Sequence, residues 1–284
     1  MKNETLSVRF LYNTVIGRII LKVLTRPFIS KIAGAFLDSP LSKFMVSRFI
    51  KKNDIDMSSY GKTKYKSFNS FFMRQRIQYE MPETKDKLIS PCDAFLSAYE
   101  IGENVSFDIK NAKYSIEQLV DSIDTANLYK DGICLIFRLT PKHYHRYIFS
   151  CTGKISEKKR IKGILHCVRP IAYTEIPVFT QNAREMVRID TENMGKIVQM
   201  EIGALIVGKI SNYSDVNVAT QGKEKGYFEF GGSTIVLLVQ KEKVKLTKKV
   251  TDLIHSKEEV AVCMGETIAS ILSAEKEVLS LSEV

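Results

Sequence analysis

The stretch Gly231-Gly232-Ser233-Thr234 places a hydroxyl nucleophile directly after two glycines and directly before an apolar run. Glycine frees the backbone from the usual conformational limits, here at the point where a strand should begin. The run TIVLLVQ, residues 234–240, has the β-branched composition of a buried strand. The pattern indicates a nucleophile at the head of a core strand. A bulge or tight turn with Ser233 as its polar edge is the alternative interpretation.

Further candidate residues lie in four other stretches. Asp93 lies in ISPCDA, His143 and His145 lie in LTPKHYHRY, and His166 lies in GILHCVRPIA, while FNSFFMR begins at Phe68. Taken alone, Asp93 fits a turn. The two neighbouring histidines share one strand face like half a metal site, but no other ligand cluster accompanies them, which favours a packed or surface pair. We therefore expect no metal site, and the common nucleotide and zinc-protease motifs are also missing from the sequence.

Apolar residues near the N-terminus recur with helical spacing. The first stripe closes at Pro27, a second runs over residues 29–37, and a third begins at Ser39-Pro40. The first stripe consists of Val8, Leu11, Tyr12, Val15, Ile16, Ile19, Ile20, Val23 and Leu24. These residues predict amphipathic helices. None of the stripes has the ~20 uncharged residues that a membrane span needs, and the features of a signal peptide are missing.

The positive charge of the chain is concentrated in the same region. The whole chain carries +10, whereas residues 1–52 contain ten Lys and Arg and two acidic residues, a net charge of +8. A local charge of this size predicts an anionic partner. Helices lying among anionic lipid headgroups are one interpretation, and a helical bundle packed on the main domain with a solvated basic face is another. Nucleic acid is disfavoured, because large aliphatic residues rather than stacking aromatics accompany the charges.

The remainder of the chain is mainly β in pattern. Residues 132–140 and 234–240 predict buried strands, and residues 258–271 predict a strand, a glycine turn and a further apolar piece. In KIVQMEI, residues 196–202, apolar and polar residues alternate as in a half-buried strand. The clearest helix is SIEQLVDSI, residues 115–123. The sequence predicts an α+β fold, with a helical, basic, membrane-associating segment over residues 1–58 and a mostly antiparallel β domain over residues 59–284.

Composition narrows the protein class further. With 44% hydrophobic and 26% charged residues, the chain is globular rather than disordered. Its five cysteines are odd in number and scattered without C-x-x-C spacing, which favours a reducing compartment and argues against a disulfide framework or a zinc site. The cysteines are Cys92, Cys134, Cys151, Cys167 and Cys263.

In combination and in this order, the motifs resemble the phosphatidylserine decarboxylase family. The resemblance extends from about Phe68 to about Ile268. It rests on S-P-x-D at residues 90–93, Y-H-R at residues 144–146, the VRPIA block, EKGYFEFGGST and its G-S-T at residues 232–234. A lone G-S-T would mean little, whereas the ordered set is specific.

The resemblance implies a proenzyme that cleaves itself between Gly232 and Ser233. By implication Ser233 Oγ attacks the Gly232 carbonyl, and elimination then releases one chain of residues 1–232 and one of residues 233–284, which stay together as a heterodimer. Position 233 becomes a pyruvoyl group, the only cofactor expected. Its carbonyl would form a Schiff base with the amine of phosphatidylserine and accept the electron pair left by CO₂, yielding phosphatidylethanolamine.

The resemblance also implies a place in the cell and leaves alternatives open. A lipid substrate and the basic helices together predict peripheral binding to the cytoplasmic side of the cell membrane. One alternative is a catalytically impaired family member that only binds anionic membranes. Another is a pyruvoyl decarboxylase acting on a soluble amino acid, which would not need the basic amphipathic helices.

One position departs from the family pattern. Many relatives use an Asp–His–Ser triad for cleavage, in which Asp93 and Ser233 match, but the position of the triad histidine is Ile148. Isoleucine cannot accept a proton, so another group must serve as the base. We expect His145, the histidine of Y-H-R, to be this base with Asp93 orienting it or holding its charge. His166 is the second candidate.

Overall fold

The computed structural model describes residues 10–12, 14–61, 64–77, 84, 86–205, 209–230 and 233–272. Val8, at the start of the predicted first stripe, and Gly231 and Gly232, which precede the predicted nucleophile, lie outside the described residues. Ser233 and the four histidines lie within them.

The helices of the described chain are concentrated at the N-terminus and are short elsewhere. They are α1 (Val15–Leu24), α2 (Pro27–Asp38), α3 (Phe44–Asn53), α4 (Phe68–Phe72), α5 (Ile116–Val120), α6 (Ile123–Asn127), α7 (Pro170–Tyr173), α8 (Val178–Gln181) and α9 (Lys248–Ser256).

The strands lie after residue 86 in the part of the chain that the structure describes. They are β1 (Lys87–Ile89), β2 (Ala94–Glu100), β3 (Ser106–Ile109), β4 (Ala112–Ser115), β5 (Ile133–Leu139), β6 (Arg146–Ile148), β7 (Gly153–Ile161), β8 (Arg184–Asp190), β9 (Lys196–Gly203), β10 (Ile210–Asn212), β11 (Val218–Ala219), β12 (Glu224–Phe228), β13 (Ser233–Val239), β14 (Val244–Leu246), β15 (Val260–Val262) and β16 (Thr267–Ile271). The predicted α+β fold, a helical N-terminus followed by a mostly antiparallel β domain, is confirmed.

The N-terminal helices form where the sequence predicts them. Thr14 caps α1 by accepting a hydrogen bond from the Gly17 N–H. Pro27 does end the first helical segment, but it also begins α2, because a proline at the first helical position needs no N–H partner. Within the described ranges no helix is both long and apolar enough to cross a bilayer.

The largest sheet in the described residues has eight antiparallel strands in the order β11-β7-β8-β9-β13-β5-β2-β15. Strand β13 lies near its middle, paired along its whole length with β9 on one side and β5 on the other. All seven of its residues are buried. Ile235, Leu237 and Val239 pack into the core on one face of the sheet, and Val236 and Leu238 pack into the core on the other. The strand is therefore held on four sides.

Strand β9 differs from its prediction as a half-buried strand. Gln199 and Glu201, the polar positions of the alternation, have no exposed surface. Gln199 accepts a hydrogen bond from the Ser150 N–H and donates one to the Ile148 carbonyl. Glu201 forms a buried ion pair with Lys225. The alternation therefore distinguishes an apolar core face from a second, polar and equally buried face.

The helical segment packs against the β domain close to the head of β13. Phe49 of α3 contacts three phenylalanines of α4 and Phe230, which lies three positions before Ser233. Thr25 accepts a hydrogen bond from the Leu165 N–H through its carbonyl. These contacts join the N-terminal helices to two chain segments near the head of β13. The predicted boundary between residues 58 and 59 stays a prediction.

Candidate active site

Ser233 is the first residue of β13 and is completely buried. It pairs with Leu139 at the end of β5 and with Gly203 at the end of β9. Its Oγ has no hydrogen-bond partner among the residues that the structure describes. A buried hydroxyl without a partner loses its hydrogen bonds to water with no replacement. Such a group at a rigid strand end is what a nucleophile awaiting its reaction requires.

The loop after β5 brings two histidines back toward the same strand end. It starts at Thr140, directly after the residue paired with Ser233, and turns at once, because the His143 N–H donates to the Thr140 carbonyl at 2.9 Å. The Thr140 N–H in return donates to His143 Nδ1 at 3.1 Å. His145 follows, and its carbonyl accepts the Phe228 N–H at 2.9 Å. The turn and this strand contact together fix the position of His145.

The contacts of His145 determine where its proton lies. The ring is completely buried, and Nδ1 is 2.9 Å from the His143 carbonyl. A carbonyl can only accept, so Nδ1 carries the proton and Nε2 is left as the acceptor. Burial lowers the pKa of His145 to about 3, so the ring is neutral at ordinary pH. Nε2 has no partner among the described residues. His145 is therefore a neutral imidazole with a free, unprotonated nitrogen, the form that a general base needs.

An aromatic chain links His145 to the residues before Ser233. The centre of the Phe72 ring lies 4.1 Å from that of His145 and 5.0 Å from that of Phe230. Asn69, on the same helix α4, accepts a hydrogen bond from the Phe230 N–H at 3.1 Å. Helix α4, part of the FNSFFMR motif, thus positions both the histidine and the chain that enters the predicted cleavage site.

Asp93 has partners other than His145. One carboxylate oxygen is 2.5 Å from Arg76, and the other accepts the Met264 N–H at 2.8 Å. The expected contact in which Asp93 orients His145 is not found among the described contacts, and the His143 carbonyl supplies that orientation instead. The sequence could not predict this, because the carbonyl that holds the ring is set by the turn at residues 140–143.

Asp93 does act on the neighbouring histidine. Burial lowers the pKa of His143 to about 4, and the negative charge of Asp93 opposes that shift. Ile148 also lies on this side of the site, because its N–H donates to the Pro91 carbonyl and its side chain packs with that of Met264. Position 148 is therefore close to Asp93, and it carries an apolar side chain.

His166 occupies a different side of the site. Its N–H and carbonyl both bind the side chain of Asn182, which also donates to the carbonyl of Gly203, the residue paired with Ser233. Burial lowers the pKa of His166, and its Nδ1 has no partner among the described residues. His166 is thus near the end of β9, on a loop that is held separately from His145.

Two ion pairs near the site have no motif in the sequence. Lys225 of β12 pairs with Glu201 of β9, both almost completely buried. Arg138 of β5 pairs with Glu259 at 2.5 Å. Neither pair could be predicted from the sequence, because each joins residues that are far apart in the chain. The alternation of polar and apolar residues in β9 was the one local feature that marked Glu201 as a polar position.

A completely buried serine hydroxyl at the head of a core strand and a buried, neutral imidazole beyond the neighbouring strand β5 are groups typical of enzymes that use a serine hydroxyl as a nucleophile. The family model of phosphatidylserine decarboxylase matches residues 68–270, and the match includes both groups. The chain belongs to the phosphatidylserine decarboxylase family.

Named relatives are similar to the chain over nearly its whole length. The phosphatidylserine decarboxylase proenzyme 2 of Clostridium acetobutylicum is 42% identical, over 92% of this chain and 90% of the relative. A phosphatidylserine decarboxylase proenzyme of Clostridium perfringens is 38% identical, over 93% and 92%. One from Clostridium botulinum is 36% identical, over 93% and 92%. Each of these relatives is named as a proenzyme.

Proposed function

We propose that this protein cleaves itself between Gly232 and Ser233 and then decarboxylates phosphatidylserine to phosphatidylethanolamine and CO₂ at a membrane surface. The observation that carries the proposal is Ser233, a buried hydroxyl without a described partner at the head of a strand held by two neighbours. Family membership supplies the substrate class.

The cleavage begins with attack by Ser233 Oγ on the Gly232 carbonyl carbon. The hydroxyl proton passes to a base, the C–N bond breaks, and an ester forms while the amine of residue 233 is released. Loss of the α-proton of residue 233 then expels the Gly232 carboxylate. The dehydroalanine that remains takes up water and loses ammonia, which leaves a pyruvoyl group at the start of the 233–284 chain.

His145 is the base that the geometry favours for the first proton. Its Nε2 is unprotonated because Nδ1 donates to the His143 carbonyl, and the depressed pKa keeps it so. Phe72 packs on the ring, Phe230 packs on Phe72, and the ring of His145 has no exposed surface. His166 remains the second candidate, held by Asn182 near the strand end opposite Ser233. Asp93 raises the pKa of His143 through its negative charge, and it forms no described hydrogen bond with His145.

The residues around Ser233 fit a pyruvoyl group made in place. Such a group occupies the space of the serine, and β5 and β9 fix the strand that carries it. A pyruvoyl carbonyl supplies an electron sink for the pair released with CO₂. The chain holds the group rigidly, excludes water through the buried surroundings, and keeps a neutral histidine near it for proton transfer.

The surface of α1 and α2 favours peripheral membrane binding. Val15, Ile16, Ile19, Ile20 and Val23 are between 41% and 67% exposed, on the side of α1 opposite to its buried residues. Phe28, Ile32 and Phe36 on α2 are between 45% and 68% exposed. Exposed Arg18 and Lys22 flank the apolar face of α1. Apolar residues at the centre and cations at the edge are the arrangement of a helix that lies in the headgroup region of an anionic membrane.

The cytoplasmic leaflet is the membrane face that we propose. Each of the five cysteines is free, and three are buried, as expected for a protein kept in a reducing compartment. The cytoplasmic leaflet is also the one with the negative surface potential that attracts Lys and Arg. The two products of cleavage are proposed to remain together as a heterodimer, because β13 is the centre of the sheet.

The proposal is tested on purified protein by denaturing gel and intact-mass analysis. We expect fragments of residues 1–232 and 233–284, the smaller one lighter by one ammonia than its sequence. We expect the cleaved protein to release CO₂ from phosphatidylserine vesicles and to form phosphatidylethanolamine. Ser233→Ala should give one uncut, inactive chain. The matched control is Ser97→Ala, which removes a buried strand hydroxyl from β2 and should cut normally.

Three results would contradict parts of the proposal. An uncut wild-type chain that still releases CO₂ would exclude the pyruvoyl route. A chain that neither cuts nor decarboxylates but binds anionic vesicles would indicate an impaired family member, in agreement with Ile148. Equal rates on vesicles and on soluble serine would indicate a decarboxylase of soluble amino acids.

A further inference from the structure

Arg74 is a buried cation without a hydrogen-bond partner among the described residues. It lies two residues after the end of α4 and is 3% exposed. Its Nε, Nη1 and Nη2 have no hydrogen-bond partner among the residues that the structure describes, and no carboxylate in that part of the chain lies within ion-pair distance. An unpaired charge in a buried place is strongly unfavourable unless something compensates for it.

Aromatic rings compensate for only part of this charge. The guanidinium carbon lies 4.7 Å from the centre of the Tyr60 ring and 4.8 Å from that of the Phe71 ring. Cation–π contacts satisfy the faces of a guanidinium. They leave its in-plane N–H groups, which form hydrogen bonds, without an acceptor. The rings therefore hold the group in a fixed orientation with its donors unused.

Another buried arginine shows how this fold normally satisfies such a group. Arg184 is also 3% exposed and has no carboxylate bound to it. Its guanidinium donates to the carbonyls of Gln118, Leu119, Thr180 and Asn182 at 2.5 to 2.8 Å. Arg184 is thus a structural cation that is saturated by backbone. Arg74 has the same burial and none of these bonds, so no acceptor for its donors lies among the residues that the structure describes.

Arg74 lines a cavity of about 380 Å³ together with two arginines that are already neutralised. Arg76 is paired with Asp93, and Arg146 is paired with Glu224. The Tyr65 hydroxyl, also in the cavity wall, is buried without a described partner. The cavity therefore offers one uncompensated positive charge, a planar set of donors and a hydroxyl, which together match an oxyanion.

The cavity lies next to the candidate active site. Arg74 stacks on Phe71, and the adjacent Phe72 contacts the ring of His145. The charge of Arg74 is also close enough to His145 to lower the pKa of that histidine, after the larger effect of burial. A group bound at Arg74 would therefore be part of a molecule whose other end reaches the histidine.

We propose that this cavity is the subsite for the phosphodiester of the lipid headgroup, with the guanidinium of Arg74 as its principal donor and the Tyr65 hydroxyl as a second. The assignment rests on the proposed function, since it places one end of the substrate. Arg74 binds and positions the substrate, and it takes no part in the proton transfers.

The phosphodiester fits the cavity better than the substrate carboxylate does. The carboxylate loses its charge when CO₂ leaves, so an arginine bound to it would stabilise the ground state and slow the reaction. The phosphodiester keeps its charge from substrate to product. A strong ion pair with it contributes to binding throughout without opposing the chemical step.

The test measures binding of small soluble probes and does not depend on decarboxylation. Isothermal titration of the full-length Ser233→Ala protein is carried out with glycerophosphoethanolamine, inorganic phosphate and serine. The variants are Arg74→Met, which removes the charge at similar length, Arg74→Lys, which keeps the charge without the planar donors, and Tyr65→Phe. The control is Arg160→Met, which removes an equal charge from β7. The Arg160 side chain is 81% exposed and does not line the cavity.

We expect Arg74→Met to weaken glycerophosphoethanolamine binding about tenfold to one hundredfold, the loss typical of hydrogen bonds to a charged group. Arg74→Lys should cause a smaller loss of affinity than Arg74→Met, and Tyr65→Phe should cause the smallest loss of the three. Serine binding should not change, and Arg160→Met should match the parent protein. Weak binding of inorganic phosphate with the same dependence on Arg74 would assign the site to phosphate oxygens in general, and a loss confined to the diester would assign it to the lipid headgroup.

Two outcomes overturn the proposal. In the first, Arg74→Met binds glycerophosphoethanolamine as the parent does, or loses serine binding instead. The second applies even if the variants do not fold. The wild-type protein should melt at a higher temperature with glycerophosphoethanolamine than with ethanolamine at equal ionic strength, because the anion compensates the buried charge, and equal melting temperatures would exclude an anion site. Neither result depends on self-cleavage or CO₂ release, so failure here is distinguishable from failure of the proposed function.

Discussion

Helix α1 and strand β13 carry similar side chains in opposite surroundings. Both are rich in Ile, Val and Leu, yet every residue of β13 is buried, whereas Val15, Ile16 and Ile19 of α1 are more than 60% exposed. The strand is covered on both faces by other parts of the chain. The helix has a narrow buried side at Gly17 and Leu21 and an uncovered apolar side. An apolar pattern thus shows that burying a surface is favourable. It does not show whether the rest of the chain or a membrane buries that surface.

The two regions should differ most in how they respond to loss of apolar volume. Leu237→Ala, at the centre of β13, should lower the free energy of unfolding by about 2–5 kcal/mol, because a cavity forms where no neighbour can move in. Ile19→Ala in α1 should change it by less than about 0.5 kcal/mol. Urea unfolding of both variants in the Ser233→Ala background, which keeps one covalent chain, measures the difference. Equal losses would mean that α1 is covered in solution.

Acid should act on the β domain through its buried histidines. The pKa of His145 falls from an ordinary 6.5 to about 3 in the folded protein, so the unfolded chain binds a proton that the folded chain does not. The stability present above pH 6.5 is therefore lost as pH falls toward 3, by about 1.4 kcal/mol per pH unit from this one group. The depressed pKa of His143, about 4, acts in the same direction.

His145→Gln in the Ser233→Ala background should remove its share of this acid sensitivity. Urea midpoints at pH 7.0, 5.5 and 4.5 measure the slope, since the first value lies above the unfolded pKa of 6.5 and the other two lie between it and the folded pKa of about 3. The matched control is His255→Gln, because His255 is exposed on α9. Parallel pH profiles for His145→Gln and its parent would show that folding does not lower the pKa of His145.

The uncovered side of α1 should respond in membrane binding rather than in stability. Ile19→Asp should weaken binding to anionic vesicles about tenfold or more, the effect of withdrawing one large aliphatic side chain from the bilayer. The matched control is Ile123→Asp, which changes an isoleucine that is 54% exposed at the start of α6. Vesicle sedimentation measures both. A similar loss in the two variants would show that the effect is unspecific.

The charges beside the apolar face should contribute the smallest effect. Lys22→Gln should weaken binding to anionic vesicles about fivefold at low salt, since one Lys near an anionic surface contributes about 1 kcal/mol. The loss should shrink in high salt because surface charges are screened. Lys245→Gln, on β14, is the matched exposed control. Equal binding of the wild-type protein to neutral and anionic vesicles would rule out this electrostatic contribution.

Several parts of the site could be predicted because they depend on local pattern. G-S-T before a β-branched run predicted Ser233 at the head of a buried strand, and the structure has β13 beginning at that residue. Y-H-R predicted His145 as a site residue, and this stays a prediction, although the turn after β5 leads to His145. Helical spacing predicted the N-terminal helices and their amphipathic character. In each case the signal lies within a few neighbouring residues.

Other parts depended on partners that are distant in the chain. Glu201 was expected on the exposed side of a half-buried strand, but Lys225 reaches it from β12 and both are buried. Asp93 was expected to orient His145, but its carboxylate oxygens bind Arg76 and the Met264 N–H instead. A carboxylate takes the strongest donor within reach, and which donor that is depends on how the strands are assembled.

The sequence by itself determined the elements of this protein, their apolar faces and the family, and it predicted Ser233 as the nucleophile, because these follow from residue type and local spacing. Only the tertiary structure decided which faces are covered, which nitrogen of His145 is free, and which cation is left without a partner. Arg74 and Arg184 cannot be distinguished by residue type, yet one is saturated by carbonyls and the other is not. Hydrogen-bond partners and burial are properties of the assembled chain, and the chemistry of a side chain depends on both.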